Sequence, residues 1–160
     1  MTETTDTAAN GADNQPQIGL IAQYVKDLSF ENPNSPGVYQ WQEQPQIDIN
    51  FNISNNQIAD DVYEVALKVS AKAVADQGTA FAVELVFAGL FGIRNVPEDQ
   101  MRPFLYAEAP RLLFPFARRV LADAVQDQKA FARIARAIIR DLSMGDDLSD
   151  APEQPDDAEG

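Results

Sequence analysis

The hydrophobic period changes once along this chain, and that change dictates the fold class. From Ile47 to Ile53, the residues Ile47, Ile49, Phe51 and Ile53 alternate with Asp48, Asn50 and Asn52. A period of two puts the apolar side chains on one face of a half-buried strand. Ser54-Asn55-Asn56 reads as a turn, and from Val62 the pattern resumes. Tyr63, Val65, Leu67, Val69 and Ala71 share one face, with Glu64, Lys68, Ser70 and Lys72 on the other, which predicts an antiparallel hairpin. After Asp76-Gln77-Gly78, a third strand runs from Thr79 to Phe91 and is apolar on both sides. Phe81, Val83, Leu85 and Phe87 lie on one side; Ala82, Val86 and Ala88 lie on the other, with Glu84 the lone charge. A strand apolar on both faces predicts that the second face is covered. An earlier strand, Ile18 to Phe30, reads with Tyr24, Lys26, Leu28 and Phe30 on one face and Asp27, Ser29 and Glu31 on the other.

Beyond Asn95-Val96-Pro97 the period becomes helical. Pro97 followed by Glu98 and Asp99 is a sound helix start, since proline needs no N–H there and carboxylates suit the dipole. Leu113, Phe116, Ala117, Val120, Leu121 and Ala124 follow the i, i+3, i+4, i+7 pattern, and Pro110 predicts a kink or break. A second stripe, Phe131, Ile134, Ala135, Ile138, Ile139 and Leu142, is opposed by Lys129, Arg133, Arg136 and Arg140. Strands first and helices last predict an α+β domain: a four-stranded antiparallel sheet, a long connection after its first strand, and helices packed on one face.

Charge sets the domain limits. Twelve basic residues stand against 25 acidic ones, a net charge of −13. Eight of the acids fall between Asp141 and Gly160, with no base among them. We read residues 1–16 and 143–160 as disordered tails around a single domain at 17–142, because such segments bury too little apolar surface to offset their ordering entropy.

The same composition excludes whole classes of chemistry. There is no histidine and no cysteine, so neither triad catalysis nor an imidazole or thiolate metal site can be built. An acidic chain lacks the footprint that nucleic acid demands. No apolar run is long enough to insert into a bilayer, and the polar N-terminus reads as no secretory signal, so a cytoplasmic location is expected. Asp60-Asp61 reads as a solvated turn rather than a cation site, because neighbouring strand residues point apart. The basic second helix reads as a packed helix with a solvated face rather than a membrane-surface helix. No enzyme and no cofactor are expected. Surplus apolar surface remains: the Thr79–Phe91 strand with Tyr39, Trp41, Leu112 and Phe114 exceeds what one domain of this size buries, and such surface marks protein partners.

Four blocks in order, YVKDLSFENPNSPGVY (Tyr24 to Tyr39), QIADDVYEVALKV (Gln57 to Val69), TAFAVELVFAGLFGI (Thr79 to Ile93) and APRLLFPFARRV (Ala109 to Val120), closely resemble SecB, the bacterial protein-export chaperone, in its alphaproteobacterial form. The resemblance runs from Gln17 to Asp127. It implies a homotetramer, a dimer of dimers, that holds unfolded precursors, delivers them to the export motor SecA and binds no nucleotide. It further implies a hydrophobic client groove lined partly by the loop after the first strand, which carries Val38, Tyr39 and Trp41 here; Leu112 and Phe114, from the surplus apolar surface, are assigned to the same groove. The SecA contact maps to Asp27, Glu31, Ala82 and Glu84, an acidic face suited to the basic, zinc-containing tail of that motor. Val83, Leu85, Phe87, Leu113, Phe116 and Val120 are assigned to contacts between protomers. One segment departs from the family pattern: DQKAFARIARAIIRD has no glycine or proline, where the family carries a breaker-rich linker. It is therefore expected to be helical, fused to the preceding helix or joined by a tight turn, with Phe131, Ile134 and Ile138 replacing part of the groove lining. A SecB-like chaperone of a toxin–antitoxin system, or an oligomeric scaffold, would share the fold without the SecA contact.

Overall fold

The computed structural model describes residues 14–143. The two tails read from composition fall almost wholly outside that range. Within it, four strands precede the helices: β1 (Gln17–Glu31), β2 (Gln46–Ala59), β3 (Val62–Ala75) and β4 (Gly78–Arg94). They form one antiparallel sheet in the order β1-β4-β3-β2, so β1 and β2 are its edges. The helical part comprises α1 (Glu98–Pro103), a π-helical stretch (Phe104–Glu108), α2 (Ala109–Ala124) and α3 (Gln128–Ser143). This is the predicted α+β arrangement.

The β2–β3 turn lies later than the sequence suggests. β2 runs through Ser54-Asn55-Asn56, and the chain reverses at Asp60-Asp61, where Asp61 takes φ 59°. Aspartate tolerates that left-handed conformation, and Asp61 O accepts the Ile93 N–H at 2.8 Å, fixing the turn to β4. The Asp60-Asp61 pair is thus a hairpin turn.

Inside the sheet, Val65, Leu67, Val69, Val83, Leu85, Phe87 and Phe91 are buried against the helices. α2 supplies Leu113, Ala117 and Leu121 above β3 and β4, and α3 supplies Ala130, Ile134, Ile138 and Leu142, reaching β2. Each fully buried aliphatic side chain contributes about 1.5–3 kcal/mol of transfer free energy. The outer face of β4 is only partly covered. Ala82, Val86 and Leu90 are half-buried and Glu84 is exposed, while Ala88 is sealed with Tyr24 of β1 paired beside it.

The break expected at Pro110 takes the form of a widened turn. Ala109 N–H bonds to the Phe104 carbonyl, five residues back, which defines the π-helical stretch. Pro110 has no N–H for the Tyr106 carbonyl and its ring would crowd that oxygen, so the extra residue relieves the clash without ending the helix. The α2–α3 junction is the tight-turn alternative. Val125 is extended, and Asp127 Oδ1 accepts the N–H groups of Lys129 and Ala130 at 3.0 and 3.2 Å, capping α3.

Two sets of predicted positions need correction. Val83, Leu85, Phe87 and Leu113 are each 5 % exposed or less. They fill the protomer's own core and cannot also face a second protomer. Of that set, only Phe116 is exposed, with Val120 half-buried. Ile134 and Ile138 are fully buried under α3; they support the sheet-facing side of the helix and line no groove.

Candidate functional site

Two surfaces carry the residues singled out from sequence. The first is the outer face of the β1–β4 ladder. Glu31 pairs directly with Ala82, Ser29 with Glu84 and Asp27 with Val86, and paired residues share a face. All four predicted residues, Asp27, Glu31, Ala82 and Glu84, therefore lie together, the three carboxylates exposed to solvent.

A bulge governs which β1 residues reach this face. The register shifts between Val25 and Asp27, making Lys26 an inserted residue. Simple alternation grouped Tyr24 and Lys26 with Leu28 and Phe30. Instead, Leu28 and Phe30 pair with Leu85 and Val83 on the helix side, while Tyr24 and Lys26 join Asp27 outside. Both reach Glu64 of β3: the Tyr24 hydroxyl donates to Oε2 and Lys26 Nζ donates to Oε1 at 3.0 Å. The Tyr24 hydrogen bond, backed by Lys26, holds the Glu64 carboxyl below the usual range, while the carboxylate pushes the Tyr24 phenol up to about 12.

The second surface is a groove of about 780 Å³ on the helix side, at the end of the sheet where β1 leaves it. Phe30 and Phe81 stack at 6.0 Å between ring centres, and both line it. Its wall is the crossover loop. Asn34 Nδ2 donates to the Thr79 carbonyl at 2.8 Å, anchoring the loop to β4. Backbone bonds from Val38 to Asn34 and from Trp41 to Val38 then close a 3-10 turn over Gly37–Gln40. That turn presents Val38, Tyr39 and Trp41 to the groove, with Tyr39 76 % exposed. Val125 and Lys129 of the α2–α3 junction form the opposite rim.

The other predicted groove residues lie elsewhere. Leu112 is half exposed on α2 and Phe114 packs at the margin of the core. Phe131 lines a separate crevice of about 760 Å³ between α2 and α3, under the Arg118 guanidinium, 5.4 Å from its ring centre. Phe30, Phe81 and Val125 were not assigned to the groove from sequence. The signal for Phe30 is its position at the end of β1, where the chain leaves the sheet for the apolar loop. Among the described residues no cluster of acidic side chains is arranged to hold a metal ion, and no helix is long and apolar enough to cross a membrane.

Comparison with known proteins decides the family. The model of the preprotein translocase subunit SecB matches residues 11–139. The chain belongs to the SecB family. The protein-export protein SecB of Rhizorhabdus wittichii is 67 % identical over 126 residues, covering 79 % of this chain and 76 % of that one. The protein of the same name from Sphingopyxis alaskensis is 64 % identical over 118 residues, 74 % and 69 % of the two chains. Among solved structures, a SecB-like chaperone of Mycobacterium tuberculosis, in complex with a ChAD peptide from the HigA1 antitoxin, aligns with a TM-score of 0.54. That alignment covers 80 % of this chain and 88 % of the other at 13 % identity, a likeness of fold.

Proposed function

We propose that this SecB-family chain is a cytoplasmic, non-catalytic holdase for protein export, which binds unfolded precursors in the crossover-loop groove and delivers them to SecA through the acidic sheet face. The observation that carries the reading is the groove itself: aromatic walls stay open to solvent while the core beneath them is closed. Apolar burial yields about 25 cal/mol per Å², so several hundred Å² of client surface offset the cost of association. Folded proteins have hidden such surface already. Selectivity for unfolded chains then needs no sequence code.

The proposed tetramer draws on surface that one protomer leaves open. On the helix side of β1, Ile18, Leu20, Val25 and Leu28 are each more than 40 % exposed, as are Leu112 and Phe116 on α2. A second copy would cover this face. The export reading is favoured over a toxin–antitoxin role because the relatives at 64–67 % identity are named as export proteins, whereas the antitoxin-bound structure is 13 % identical.

The test is a refolding assay with a slow-folding precursor. The chain is expected to delay refolding, and Tyr39→Asp, at an exposed position, to shorten the delay with no change in thermal unfolding. Equal delay by both proteins would refute the groove assignment. A scaffold without chaperone activity would produce no delay at all.

A further inference from the structure

The bulge in β1 brings a lysine onto the acidic edge of the outer sheet face. Lys26 is the residue inserted between Val25 and Asp27, and the half-strands on either side of it each keep their own alternation. Tyr24 faces outward before it. Asp27, Ser29 and Glu31 face outward after it, opposite Val86, Glu84 and Ala82. In a regular strand Lys26 and Asp27 would point to opposite faces. The insertion instead puts an ammonium and a carboxylate, neighbours in the chain, on the same side of the sheet.

A lysine so placed has two carboxylates within its reach. Asp27 is exposed, whereas Glu64 of β3 is the one buried charged side chain among the described residues. Lys26 takes Glu64: its Nζ donates to Oε1 at 3.0 Å, while the Tyr24 hydroxyl donates to Oε2. Between them the sheet presents Ala88 and Ala66, in the row of Tyr24, and these small side chains leave room for the lysine stem. The preference has a physical cause. An ion pair with an exposed carboxylate is screened by water and salt and contributes little. A buried carboxylate stripped of its partners keeps a large desolvation penalty. Tyr24 supplies only a neutral donor, so the cation settles where it removes the larger cost.

We propose, on the reading of this face as the SecA contact, that Glu64 is a positioning residue for it: by holding Lys26, Glu64 keeps the ammonium off Asp27, so that Asp27, Glu31 and Glu84 stay open to a basic partner. Glu64 acts through Lys26 and need not touch the partner itself. Released from Glu64, the ammonium stands beside Asp27 and competes there with the partner's cations.

The test is the affinity of the full chain for SecA at low salt. Glu64→Leu fills the site with a side chain that accepts no hydrogen bond and sets Lys26 free. It is expected to weaken SecA binding about threefold, the scale of one exposed ion pair. Glu64→Leu/Lys26→Met is expected to recover the parent affinity. A merely structural role of Glu64 cannot give that result, since the second substitution restores no contact. The recovery is expected to vanish when Asp27→Asn is added to both proteins, because the released ammonium then has no Asp27 carboxylate to cover. Should Glu64→Leu fail to fold, Glu64→Gln keeps the volume and one acceptor without the charge, and is expected to give the same order of affinities with smaller differences. A loss that Lys26→Met does not recover would overturn the proposal. So would an equal gain from Lys26→Met in the presence of Asp27→Asn, the mark of net charge alone. Asp27→Asn by itself checks the reading beneath: unchanged SecA affinity there would refute the acidic face as the contact, and the proposal with it. A loss in Asp27→Asn together with full affinity in Glu64→Leu would overturn the positioning role alone.

Discussion

Tyr24 on the edge strand β1 donates its phenolic proton to the carboxylate of Glu64 on β3, reaching across β4 where the sheet presents the small, sealed Ala88. Lys26, the inserted residue of the bulge, closes on the same carboxylate. One buried acid therefore ties an edge strand to the far side of its neighbour. The strand it ties carries Asp27 and Glu31.

Removing this tie lowers stability. Tyr24→Phe leaves Glu64 one partner short and is expected to cost about 1.5–3 kcal/mol, the range for a hydrogen bond to a charged group. Denaturant unfolding at fixed protomer concentration measures it. Lys26→Met, at a more exposed position, should cost less.

The same network sets a pH dependence with a defined sign. Glu64 has its pKa lowered on folding, so its contribution is present above the ordinary carboxyl range and is lost as pH falls through the lowered value. The Tyr24 pKa rises from 10.0 to about 12, so its contribution is full below pH 10 and is lost between about 10 and 12. Glu64→Gln is expected to flatten the acid limb of a stability-versus-pH curve. An unchanged acid limb would contradict the assignment.

Gly89 is required by packing. A Cβ there would stand 2.6 Å from Leu113 Cδ2, 3.2 Å from Leu20 Cδ1 and 3.3 Å from Phe91 Cε2. Leu113 and Phe91 are fully buried and have little room to give. Gly89→Ala is expected to lower stability by about 1–3 kcal/mol, the usual cost of overpacking, measured as a shift in the unfolding midpoint. Gly19, where an added Cβ would meet nothing within 4 Å, is the control.

Ile134 and Tyr39 should separate stability from client binding. Ile134→Ala empties a fully buried site and is expected to cost about 2–5 kcal/mol. Tyr39→Ala, at a largely exposed position, should leave the unfolding midpoint alone and weaken binding of an unfolded client.

The acidic face makes a charge prediction. Glu84→Lys reverses the charge of the one acidic residue in β4, which lies between Ser29 and Ser70. It is expected to lower SecA affinity at least tenfold at low salt and by less at high salt, with client binding unchanged. Equal losses of both would place Glu84 in the fold rather than in the contact.

The period-two and period-3.6 patterns carried the architecture, because side-chain burial follows them closely in β2, β3 and α2. They failed at β1, where one inserted residue, Lys26, reverses the alternation, and a single sequence holds no signal for an insertion on one strand. They failed also for Ile134 and Ile138. An amphipathic stripe marks the buried side of a helix, so it locates core more readily than groove; Phe131, half-buried at the stripe's margin, lines the separate crevice between α2 and α3. Val38, Tyr39 and Trp41 were legible because large apolar residues in a proline-rich loop have no strand or helix to bury them. Val83 and Leu85 read as surplus apolar surface only until α2 was placed over them. The surface that does remain open belongs to β1, whose helix side receives no helix.

The central claim is that the crossover-loop groove holds unfolded chain, and the emission of Trp41 tests it most directly. Titration with an unfolded precursor free of tryptophan should shift that emission to the blue and saturate at the concentration that arrests refolding, with Tyr39→Asp requiring more precursor. Arrest of refolding with no change in Trp41 emission would contradict the account and move the client to another surface.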